Sequence, residues 1–224
     1  KTLEKKGAKA IGLDVIIDQP TEIFKDNLLK KTVDELKTPL FISYSITPSI
    51  VNEDQLEYLN RFVPEKMRAT ANMATDPFDG SVRWIYPGQA SADEPKGFAR
   101  KALELIGKET PKRLVEIAWR AKPDMETPPF PIYPANTLGV LPDIWFKDKI
   151  VLIGAVLSIT DRHKTPLSVV HGEGDDGMMP GVLIHAHSIA QLLENRSEPG
   201  ISPYAKIVII FLAGLLGILI GFLK

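Results

Sequence analysis

The residues best able to do chemistry in this 224-residue chain fall in two short stretches. In KAIGLDVIID (residues 9–18), Asp14 interrupts a run of branched apolar side chains and Asp18 ends it. A carboxylate inside such a run must be paired, hydrogen-bonded or bound to a ligand, because burying it alone is costly. The second stretch follows the apolar run KIVLIGAV (149–156) and places Asp161, His163 and Thr165 just beyond it. If the two runs are neighbouring parallel strands, Asp14, Asp18 and Asp161 converge at their carboxyl ends. That is the edge where open α/β sheets bind ligands. His163 and Thr165 lie on the following loop, and His185 starts the next helix. We expect a small ligand or ion to bind there, with Asp14, Asp18, Asp161, His163, Thr165 and His185 as candidate ligand-binding residues and no catalytic residue assigned. Asp18 also suits a turn or cap, and Asp14 a structural hydrogen bond.

All four histidines lie between His163 and His187, which invites a zinc site of Asp161, His163, His185 and His187. The spacing argues against it, because HAH on a helix points two rings about 200° apart. We assign no metal ligand. Glu173, Asp175 and Asp176 in HGEGDDG lack the ligand order of a calcium loop and read simply as an acidic loop. Walker, dinucleotide-binding, GxSxG and HExxH motifs are absent.

The elements that must position these residues are legible in the apolar pattern. Residues 9–17 and 149–156 lack polar alternation, as strands covered on both faces do. Residues 24–37 place Phe24, Leu28, Leu29, Val33 and Leu36 on one helical face, and PLFISYSI (39–46) reads as a second strand. This strand, helix, strand unit predicts a mainly parallel central sheet with helices on both faces, an α/β fold. Asp79-Gly80, between two strand-like segments, predicts an antiparallel hairpin. Helices are expected over 53–62, 97–106, from Pro111 through Trp119, and from Pro180 to Leu193. Short strands are expected at 67–73 and near Ile132.

Twenty-seven basic against 28 acidic residues leave a formal charge of −1, which argues against a nucleic-acid binder. Cysteine is absent, so disulfides, thiolate metal sites and cysteine nucleophiles are excluded. Residues 207–223 (IVIIFLAGLLGILIGFL) carry no charged, amide or hydroxyl side chain. As a helix they extend about 25 Å, a short but sufficient membrane span. Ala213, Gly217 and Gly221 form a small-residue stripe on it. We divide the chain into a main domain, 1–202, which the resemblance described below implies is a sensor domain, and a transmembrane helix, 203–224. The start at Lys1, without an initiator Met or apolar signal core, reads as a segment of a longer protein, and the end at one span as a truncation.

Four segments together resemble the second type of CHASE domain. They are GAKAIGLDVIID (7–18), DPFDGSVRWI (76–85), KDKIVLIGA (147–155) followed by DRHKTPL (161–167), and MPGVLIHAHSIAQLL (179–193). The matching positions are Asp14, Asp79, Gly80, Arg83, Asp161, Thr165, Pro166, Pro180, Gly181 and His185. Tyr133-Pro134-Ala135-Asn136 and HGEGDDG depart from the family pattern. The resemblance implies an extracytoplasmic, periplasmic or extracellular, sensory module of a bacterial transmembrane receptor, itself not an enzyme. It implies a cytoplasmic cyclase, histidine kinase, Ser/Thr kinase or diguanylate cyclase region beyond Lys224. The expected partners are the membrane, a second copy in a homodimer, and a small ligand or ion whose identity the residues do not give; the cofactor is unknown. The rival readings are a membrane-anchored metal-dependent hydrolase using Asp14, Asp18, Asp161 and His163, and a structural dimerisation module.

Overall fold

The computed structural model of the chain describes residues 1–124, 126–157, 160–168, 178–197 and 202–222. Its central sheet is built from the apolar runs. Strands β1 (Ala10–Asp14), β2 (Leu40–Tyr44), β3 (Arg68–Thr70) and β7 (Ile150–Gly154) are all parallel, in the order β3-β2-β1-β7. Helices α1 (Thr2–Lys5), α2 (Ile23–Glu35), α3 (Glu53–Phe62), α4 (Phe98–Glu104), α5 (Gly181–Glu194) and α6 (Pro203–Phe222) follow in chain order.

Alternate strand residues feed two cores, so helices cover both faces. Phe41, Ala69, Ile150 and Leu152 pack with Phe98, Ala102 and Leu103 of α4 and with Ile184 and Ile189 of α5. On the opposite face Ile11, Ile42, Val151 and Ile153 pack with Leu3, Leu59, Phe62 and Val33. The first core requires a glycine in the middle of β1. A Cβ at Gly12 would lie 2.5 Å from Cζ of Phe41 and 2.7 Å from Cδ2 of Leu152. Phe41 uses that space to meet Phe98 edge-on at 4.7 Å between ring centroids.

The expected hairpin forms between β4 (Ala74–Thr75) and β5 (Val82–Ile85), with Gly80 at φ 73°. Arg83 holds its turn through Asp76 (2.9 Å) and Asp79 (2.6 Å), while the Ser81 amide donates to Asp79 at 2.9 Å. That amide bond, the largest influence, keeps the Asp79 carboxyl below the usual carboxylate range. Asp79, Gly80 and Arg83 therefore build a turn.

Three expectations are corrected. Residues 111–119 form no helix: Val115–Glu116 is β6, antiparallel to β5. Tertiary contact overrides propensity there, because the Gln191 side chain accepts from the Ala118 amide (2.7 Å) and donates to the Glu116 carbonyl (2.8 Å). No strand forms near Ile132, where Tyr133 instead stacks on Trp145. In α2 only Val33 is buried, while Ile23, Phe24 and Leu28 are exposed. Ile16 and Ile17 of the preceding connection pack against the second core.

Strands β8 (Arg162–His163) and β9 (Met179–Pro180) pair antiparallel just before α5. Among the described residues, α6 is the one helix long and apolar enough to cross a bilayer, and none of its Tyr204–Phe222 window is buried. Leu223 and Lys224 lie outside the described residues.

Because Gly12 is enclosed by Phe41 and Leu152, Gly12→Val should destabilise the fold by about 1–3 kcal/mol through overpacking. Chemical denaturation of the two proteins checks this, and equal midpoints would show that the first core is loosely packed.

Candidate functional site

Strand β1 runs on to β2 and β3 on one side and has β7 on the other, so the carboxyl ends of β1 and β7 form the sheet's switch point. Asp14 and Gly154 are register partners there. Asp14 lies on the α5 side of the sheet, two residues after Gly12, and accepts a hydrogen bond from the Ser43 hydroxyl at 2.7 Å. Gly154 has no room for a side chain: its Cβ would lie 2.8 Å from Val182 and 3.3 Å from Cβ of Asp14. The first turn of α5 thus comes down directly on the strand ends.

Asp161 sits against the same turn. A Cβ at Gly181 would meet its carboxylate oxygens at 2.6 and 2.7 Å. The Gly181 amide donates to the Asp161 main-chain carbonyl at 3.1 Å, and Asp161 has φ 54°, a left-handed conformation more tolerable to Asp than to most residues. Its charge lies where the unpaired N–H groups of a helix start favour an anion. Oδ1 of Asp161 also contacts Nε2 of His163 at 3.0 Å, and the β8–β9 ladder holds this loop to the helix start.

His185 follows one turn into α5, buried, with its ring 4.4 Å from that of Phe98. Burial pushes its pKa down, the charges of Asp14 and Asp161 pull it partly back, and His163 opposes them. Among the described residues its buried Nε2 has no hydrogen-bond partner. The ring lines a hollow of about 10 Å³ with Asn72, Trp84, Tyr86, Phe98 and Ser188, room for roughly one water. Tyr86 donates to Glu94 (2.9 Å), a buried carboxylate that also accepts from Asn72 (3.0 Å) and the Ala90 amide (2.8 Å). Burial first, and Glu94 second, push the Tyr86 phenol up to about 12.

The structure thus groups Asp14, Asp161, His163 and His185 around the first turn of α5. It does not bring Asp18 into that group. Asp18 accepts from the Gln55 side chain, which also closes the capping box of α3 with Asn52. Thr165 is buried and exchanges local bonds with Ser168, its amide donating to the hydroxyl at 3.0 Å and its carbonyl accepting at 3.1 Å. His187 faces elsewhere: its Nδ1 accepts from the Arg120 amide at 3.0 Å, and Trp119 and Phe130 meet its ring edge-on. Among the described residues no group of three or more His, Asp or Glu is arranged to hold a metal ion. His171, Glu173, Asp175 and Asp176 lie outside them. Ser43 was missed by sequence reasoning, although its spacing of two from Phe41 in an extended run places it on the Phe41 face.

The family model of the CHASE2 domain matches residues 1–221. The chain belongs to the CHASE2 family. CHASE2 is a sensory, non-catalytic domain family of signalling receptors. No curated protein and no solved structure matches the chain. Among the described residues one helix is fit to cross a bilayer, which together with the CHASE2 match points to a membrane-anchored protein.

Two predictions arise from the first turns of α5. Gly181→Ala should cost about 1–3 kcal/mol, because its methyl meets the Asp161 carboxylate. Combined with Asp161→Gly, the loss should fall short of the sum of the single changes by roughly 0.5 kcal/mol or more. Strict additivity in denaturation experiments would show that the two side chains do not share this space.

The second concerns pH. Burial, reinforced by Arg196 and Arg120, lowers the His187 pKa to about 4, well below the ordinary histidine value. A depressed histidine contributes stability that is present above the unfolded pKa and is lost as pH falls toward the folded one. His187 should therefore remove about 3 kcal/mol between pH 6.5 and 4, with His185 acting in the same direction. Denaturation midpoints across that window should fall less steeply in His187→Gln, and an unchanged slope would contradict the assignment.

Proposed function

We propose that this CHASE2 domain is the extracytoplasmic ligand-sensing module of a bacterial transmembrane receptor, acting as a homodimer. The ligand is a small molecule or ion bound around Asp14, Asp161, His163 and His185, while Asp18 and Thr165 set the flanking connections. One observation carries the reading. A buried imidazole, whose Nε2 has no partner among the described residues, feels the charges of Asp14 and Asp161 near the switch point of the sheet. Buried polar groups are normally satisfied, so spare bonding capacity in that place favours a ligand.

The hollow beside His185 admits no more than water in this state, so a larger ligand requires α5 or the 161–165 loop to shift. That requirement couples occupancy to conformation, provided the ligand binds the shifted state more tightly. Helix α5 leads through residues 195–202 to α6, and the signal passes to a cytoplasmic cyclase or kinase region following Lys224.

The test uses the intact receptor, comparing effector output in Asp161→Asn and His185→Gln with output in Gly12→Val. The site variants should change output while their melting temperatures stay within a few degrees of the parent. Output that simply tracks stability across all three, or an intact protein with no effector region after Lys224, overturns the proposal.

A further inference from the structure

The amino edge of the sheet, opposite the candidate site, carries apolar side chains that the fold leaves uncovered. Val140 is 87 % exposed and Ile144 69 % exposed, and Trp145, stacked on Tyr133, is half exposed. Isolated exposed apolar residues need no explanation, but three within six consecutive positions, beside a stacked tyrosine, point to a contact surface. This one is held rigidly. The buried Lys6 donates to the Leu141 carbonyl (2.7 Å) and to Asp143 (2.6 Å), and Phe146 enters the second core. The Asp148 amide donates to the Gly7 carbonyl at 2.9 Å, which fastens the segment beside the start of β1.

The helix that precedes the membrane helix ends at the same edge. Helix α5 begins against Gly154 at the carboxyl ends and has 14 residues, so it extends about 21 Å. A five-residue strand spans only about 17 Å, so α5 ends at the amino edge. There Leu192 and Leu193 join the first core together with Ile150, and Lys108 donates to the Leu193 carbonyl. Only residues 195–202 separate that point from α6. Exposed Lys147 and Lys149 closely follow the apolar group in sequence, opposed by Asp143 and Asp148. Stacked Tyr and Trp next to lysines is the composition that settles at a lipid headgroup boundary.

We propose that the amino edge of this domain rests on the bilayer that α6 enters, with Val140, Ile144 and Trp145 inserted at the headgroup level. The proposal relies on α6 being a membrane span. It gives the domain a fixed standing orientation, with the candidate site on the side away from lipid.

The absence of cysteine makes single-site labelling unambiguous. Nitroxide labels at Val140→Cys, Phe78→Cys and Leu216→Cys, each in the full chain in phosphatidylcholine–phosphatidylglycerol nanodiscs, are compared by power saturation with oxygen and a water-soluble nickel complex. Phe78 is the far control: it is 97 % exposed at the hairpin tip, beside Lys164 of the carboxyl-edge loop. The label at 140 should lose nickel accessibility and gain oxygen accessibility relative to that at 78, though less than the label at 216. Equal nickel accessibility at 140 and 78 overturns the proposal. Loss of nickel accessibility without oxygen gain, with strong dipolar broadening between labels at 140, also overturns it and assigns the edge to a second copy. A label at 216 open to nickel refutes the span itself, and the proposal with it.

Discussion

Helix α5 can reach the ends of β1 and β7 only because backbone, and not side chain, lies at the points of contact. Gly154 yields its Cβ space to Val182, and Gly181 yields its own to the Asp161 carboxylate. Glycine costs conformational entropy in a strand or a helix, so these positions are tolerable only where close approach repays it. The approach brings the helix start over Asp14, sets His185 beside Phe98, and lets Asp161 complement the exposed N–H groups of the first turn. Farther along the same helix, Gln191 supplies both a donor and an acceptor to the edge strand at 116–118, and Arg196 binds the Ala118 carbonyl at 2.6 Å. One helix therefore ties the parallel sheet to the antiparallel one.

His185 and His187, two residues apart on that helix, show how local surroundings divide identical side chains. Both are buried, and burial holds both below the ordinary histidine range. His187 is bonded to the Arg120 amide and boxed by Trp119 and Phe130, which makes it a structural member of the helix–strand contact. His185 has two carboxylates near and a buried nitrogen that none of the described residues satisfies. Glu94 is a useful contrast, a buried carboxylate whose donors are Tyr86, Asn72 and a backbone amide. The fold is able to satisfy a buried polar group fully where only stability is at stake.

The parts of this arrangement legible in the sequence were those fixed by short-range pattern. Unbroken apolar runs gave β1, β2 and β7, Asp79-Gly80 gave the hairpin, and the spacing of Val182, Ile184, Ile189 and Leu192 gave α5. The grouping of Asp14, Asp161, His163 and His185 required one further step, that β1 and β7 be neighbours, which the register of Asp14 on Gly154 satisfies. What failed depends on distant partners. Residues 111–119 are helical by propensity and become a strand because Gln191 waits there. The apolar face of α2 is sound by periodicity, yet Phe24, Leu28 and Leu29 stay exposed while Ile16 and Ile17 pack against the second core. Asp18, four residues beyond Asp14, turns to Gln55 because that side chain closes the start of α3.

The anchoring of α5 at both ends constrains how any movement can leave the site. Asn195 ends the helix in the left-handed conformation, and just beyond it Arg196 binds both Glu194 and the Ala118 carbonyl. The helix is therefore not free to slide along its axis alone. Gln191 and Arg196 grip the strand at 116–118, which pairs with β5 of the hairpin sheet, so a displacement of the first turn must carry that sheet with it or break several buried hydrogen bonds. Breaking them leaves orphaned polar groups at about 1–3 kcal/mol each.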